Sequence, residues 1–187
     1  MVPVWSLWIP IGVSAVLVYF VSSVIHMFTP WHRGDLRKLP QEDAVMGAMR
    51  PFDIPPGDYG MPLGGSMAAM KDPAFKEKMK AGPVAFMTVL PSGLPQMGSS
   101  LLLWFLYTIV VSIFAAYVTG HALPAGPGLY RAVFRFAGCT AFACYAMALP
   151  PFSIWYKRNW VTTVKAMIDG LVYGLLTAGV FGWLWPN

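Results

Sequence analysis

One acid lies outside the charged middle of this 187-residue chain: Asp169, shortly after the start of the last long apolar stretch. A carboxylate placed in hydrocarbon is costly and marks a functional site by default. Lys165 stands four residues earlier, on the same helical face, so an i,i+4 ion pair near the membrane interface is the plain explanation. His26, near the end of the first apolar stretch, has a compatible depth, and an Asp169–His26 couple could exchange a proton. One acid and one histidine make no continuous proton path, so a structural role for Asp169 is expected over a relay.

The other donors form no strong pattern. A bis-ligated haem needs two axial ligands facing each other at one depth. His26 and His32 lie at one membrane face, separated by Pro30, and His121 lies at the other. Met46-x-x-Met49 and Met67-x-x-Met70 are spaced for Cu(I) thioether ligation, but no Cys or His accompanies them, and methionine is more often an adaptable apolar filler. Cys139 and Cys144 point to different faces of one helix. No metal or cofactor is therefore expected. Phosphate loops, GxSxG and HExxH runs are missing, so no catalytic residue is assigned.

The elements that hold these residues follow from hydropathy. The chain is 57% hydrophobic with a mean hydropathy of +0.57. Only 11% of its residues are charged, against about 25% in an average globular chain. This excludes a disordered protein and argues against an ordinary soluble domain. The apolar residues gather into stretches 4–28, 99–120, 130–149 and 164–185, each near the roughly 20 residues a helix needs to cross a bilayer. No Lys or Arg precedes the first, so it reads as an uncleaved helix and not a signal peptide. The expected fold is all-α: one polytopic membrane domain over 1–187, with an ordered insertion at 29–98 between helices one and two.

The insertion holds 8 of the 13 basic and 7 of the 8 acidic residues, so it is nearly neutral and no polybasic nucleic-acid arm. A short helix is expected at 40–50 and another from Asp72-Pro73 to about Lys80. Residues 51–58 read as extended or turned, and 84–90 as a strand or a surface-lying segment. Arg33, Arg37, Lys38, Lys157, Arg158 and Lys165 fall on one side of the membrane, and only Arg131 and Arg135 on the other. The positive-inside rule then puts 29–98 in the cytoplasm of an inner membrane and both termini outside. Trp5, Trp8, Trp183 and Trp185 would anchor the outer interface, and Trp31, Trp104, Trp155 and Trp160 the inner one.

Gly170, Gly174, Ala178 and Gly182 recur every four residues, a stripe that lets another helix approach closely. Packing within the bundle is the first expectation and contact with another subunit the second. Pro30-Trp31-His32-Arg33-Gly34-Asp35, Gly82-Pro83-Val84 and Asp169-Gly170-Leu171-Val172-Tyr173 together resemble small uncharacterised bacterial four-helix inner-membrane proteins. The resemblance spans most of the chain and implies no activity, cofactor or catalytic residue. Three functions are expected, in order. The first is a non-catalytic accessory or scaffold subunit of a membrane complex, partnered by the bilayer and by other subunits or further copies. The second is a small membrane redox component or enzyme using His26, His32 and Asp169 at the inner face. The third is an ion-conducting oligomer centred on Asp169.

Overall fold

The computed structural model describes every residue except Pro95. The protein is mainly helical, and four helical spans are long and apolar enough to cross a membrane: Val4–Phe28, Met97–Ala122, Tyr130–Trp155 and Trp160–Trp183. The first is helix α1 (Trp8–Phe28) behind a 3-10 turn at Val4–Leu7. The second is α5 (Met97–Ala122), after the intervening elements α2–α4 described below. The third begins as α6 (Tyr130–Phe142), passes through a π turn at Ala143–Met147 and resumes as α7 (Pro150–Trp155). The fourth is α8 (Trp160–Trp183).

Three spans are longer than the sequence indicates, the second by two residues at each end. Pro150 and Pro151 read as the end of the third stretch. They sit instead in the first turn of α7, where a missing N–H costs nothing, and helix resumes to Trp155. The fourth starts at Trp160, not 164, because the Asn159 side chain accepts the Val161 N–H and caps the helix there.

Small residues let these helices pack closely, as apolar burial drives little association in lipid. The stripe on α8 faces the third span. A Cβ on Gly170 would lie 2.9 Å from the Ala146 Cβ, and one on Gly174 would lie 3.2 Å from the Gly138 carbonyl oxygen. A Cβ on Gly138 would meet the Ala178 Cβ at 2.8 Å, and one on Gly182 the Tyr130 ring at 2.8 Å. Hydroxyl pairs join neighbours, Ser14 to Ser112 at 3.0 Å between α1 and α5, and Ser153 to Thr163 at 2.7 Å between α7 and α8.

The tryptophans divide. Trp5, Trp8, Trp31, Trp155, Trp160 and Trp183 are exposed on the surface. Trp185 is buried beside Leu7, Val133 and Phe181, and its indole N–H donates to the Pro124 carbonyl at 3.0 Å. Trp104 also turns inward, donating to the Ser22 hydroxyl at 2.7 Å.

The chain forms two compact units. One comprises Met1–Arg37 with Gln96–Asn187, and the other is Lys38–Pro95. Thr29–Arg37, read as the start of the insertion, therefore belongs with the spans. Within the second unit, α2 (Glu42–Met49) carries Glu42 and Asp43 in its first turn. Strand β1 (Gly57–Met61) pairs antiparallel with β2 (Ala85–Val89), Gly57 opposite Val89. Between them stand α3 (Met67–Lys71) and α4 (Pro73–Ala81). Asp72 caps α4 through the Ala74 N–H at 2.9 Å.

Candidate functional site

Helix α1 stops at Phe28 because the Thr29–Pro30 pair turns extended. The Thr29 hydroxyl donates back to the Ile25 carbonyl and accepts the Trp31 N–H. Two further turn bonds, Arg33 N–H to Pro30 and Asp35 N–H to His32, curl residues 30–35 back over the start of α8. That curl assembles the site.

Asp169 is 5% exposed, and both of its oxygens are engaged. The Trp31 indole N–H donates to Oδ1 at 3.1 Å, and His32 Nε2 lies 2.8 Å from Oδ2. The other nitrogen of His32, Nδ1, lies 2.7 Å from Asp35 Oδ2. Lys165 Nζ donates to Asp35 Oδ1 at 3.1 Å and to the Trp31 carbonyl at 2.7 Å. His26 stacks on His32, with ring centres 4.3 Å apart and planes 10° from parallel, while its Nδ1 lies 3.0 Å from the Ser22 carbonyl.

Two expectations change here. Lys165 and Asp169 make no ion pair: Trp31 and His32 hold the carboxylate, and the lysine turns to Asp35 nearer the helix end. The Asp169–His26 couple is replaced by Asp169–His32, with His26 stacked behind. Sequence reasoning missed Asp35, whose signal is its i,i+3 spacing from His32.

His32 sits between two carboxylates. A neutral imidazole has one N–H, so both contacts become hydrogen bonds only when the ring is doubly protonated or one carboxyl keeps its proton. Burial alone would raise the Asp35 carboxyl, but hydrogen bonds from His32 and Lys165, reinforced by their charges, outweigh it. They hold the group below its ordinary 3.8.

The site opens onto a half-open cavity of about 610 Å³ between α1, α5, the π turn and α8. His26, Asp169 and Arg158 line it with Met27, Met97 and Leu101, and its accessible lining is mostly apolar. Trp104, Tyr107, Tyr145 and Tyr173 form one aromatic wall, with neighbouring ring centres 5.4–6.2 Å apart. The Tyr107 hydroxyl donates to the Cys144 carbonyl. The Tyr145 and Tyr173 hydroxyls, each exposing less than 1 Å², have no partner among the described residues. Tyr173 is one helical turn beyond Asp169, a sequence signal that hydropathy alone passes over. The π turn carries Tyr145 into the wall, and such turns are frequent at functional sites.

His121 bonds to the Tyr117 carbonyl near the other end of α5, Cys139 and Cys144 are free thiols, and the paired methionines belong to α2 and α3. A scan against protein-family models, a search of curated proteins and a search of solved structures each found no match.

Proposed function

We propose that the chain is an integral membrane protein that takes an amphipathic small molecule from the bilayer into the aromatic-walled cavity. The ligand has an apolar body and an oxygen-bearing polar end directed to His26, Asp169 and Arg158. The observation that carries this reading is a cavity of ligand size with a mostly apolar lining, walled by the Trp104, Tyr107, Tyr145 and Tyr173 rings and with His26, Asp169 and Arg158 among its lining residues.

The excess of Lys and Arg around 33–38 and 157–165 supports a cytoplasmic position for the polar end in an inner membrane, with both termini outside and 29–98 inside. The conducting reading has less support, since Asp169 is anchored through both oxygens. An accessory or scaffold subunit would need a surface other than the glycine stripe, which the third span covers.

The test is photolabelling in reconstituted bilayers with a diazirine-bearing amphiphile that carries a ketone head. Labelling concentrated on peptides holding Trp104–Tyr107 and Tyr145–Leu149, and competed by unlabelled amphiphile, is the expected result. Labelling spread evenly over outward residues such as Leu102, Val110 and Leu175 would contradict it.

A further inference from the structure

The geometry points to a divalent transition-metal site made by His26, His32 and Asp169. One ligand atom from each residue lies within 4.8 Å of the other two. Two imidazoles and one carboxylate suit borderline cations such as Zn²⁺ or Fe²⁺, whereas Mg²⁺ and Ca²⁺ prefer all-oxygen shells.

The outer partners orient this set. His26 Nδ1 faces the Ser22 carbonyl, which can only accept, so Nδ1 carries the proton and Nε2 presents its lone pair. His32 Nδ1 faces Asp35, leaving Nε2 for the cation in the carboxylate–histidine–metal arrangement that fixes ring and tautomer. Lys165 steadies Asp35, and the Trp31 N–H steadies the far oxygen of Asp169. Asp169 has no lysine or arginine within ion-pair distance among the described residues, so its charge remains for a cation.

Ligand bonds near 2.1 Å hold neighbouring donors about 3.0–3.4 Å apart. The parallel rings of His26 and His32 must therefore tilt until their Nε2 atoms converge. His26 is the mobile partner: it is exposed and is tethered by one hydrogen bond and one ring contact. The cation replaces the hydrogen between His32 Nε2 and Asp169 Oδ2, and that proton leaves to water. The remaining coordination positions face the cavity, where His26 and Asp169 line the wall.

The experiment uses the full chain in mild detergent, purified through a histidine-free tag and stripped with chelator. It is titrated with Zn²⁺ by calorimetry and with Co²⁺ by visible absorption. The wild type is expected to take up one ion per chain with a Kd below roughly 1 µM and to show a Co²⁺ ligand-field band. His26→Ala, at an exposed side chain, should keep the far-UV spectrum and lose the band. Asp35→Asn should weaken Zn²⁺ binding roughly 10- to 100-fold through its hold on His32. His121→Ala should bind as wild type. The inference is overturned by a wild type that takes up neither ion saturably, or by a His26→Ala protein that binds as tightly as wild type.

Discussion

Replacing Tyr145 or Tyr173 with phenylalanine should stabilise the protein. The rings supply packing: Tyr145 and Tyr173 lie 5.4 Å apart edge to face, and both contact Trp104. Phenylalanine keeps those contacts and removes only the oxygen. Each oxygen exposes less than 1 Å² and bonds to nothing among the described residues. Its removal therefore relieves a desolvation cost of about 1 kcal/mol, at the low end of the range for unmet buried groups. In a chain of this size that is a rise of about 2–4 °C in Tm. The two rings touch, so the double variant should gain less than the sum of the two. Thermal unfolding in detergent, followed by far-UV circular dichroism, reads the effect. A lower Tm for either variant would mean that its hydroxyl has a partner, and the reasoning from burial would fail.

Other outcomes follow from the same geometry. Asp35 is held below its ordinary 3.8, so its contribution to stability is complete above that value and drains away as pH falls through the lower folded value. Unfolding midpoints measured from pH 6 to pH 2 should show a loss confined to the acid end, and Asp35→Asn should flatten it. Gly138→Ala pushes a methyl to 2.8 Å from the Ala178 Cβ and should cost about 1–3 kcal/mol by denaturant unfolding, whereas Gly179→Ala enters open space and should be neutral or mildly stabilising. Ser22→Ala strips the Trp104 indole of its acceptor, which should cost about 1–3 kcal/mol and shift tryptophan emission.

Local chemistry in the sequence was informative wherever one element decides it. Unbroken apolar runs give the spans, Asp72-Pro73 gives the start of α4, and a lone acid in an apolar helix draws attention to Asp169. Contacts across elements were less legible. Lys165 and Asp169 look paired on a helical wheel, but the curl of residues 30–35 brings competing groups to each. That curl depends on tertiary packing against α8, which residue spacing does not encode. β1 contains two glycines and a central Asp-Tyr, so its strand propensity is weak, and its pairing with β2 supplies the order. The burial of Trp185 was likewise not legible, since its hydrogen-bond acceptor, the Pro124 carbonyl, lies 61 residues away in the chain. The aromatic wall was hidden for a similar reason, since Trp104, Tyr145 and Tyr173 come from three different spans.

The central claim is that the aromatic-walled cavity holds an amphipathic molecule. Native mass spectrometry of protein released from mild detergent tests this most directly, comparing wild type with Ala166→Trp, which adds a large ring at the cavity lining. The account predicts a stoichiometric adduct on wild type that the variant lacks. Bare wild-type protein, or an equal adduct on both, would contradict it.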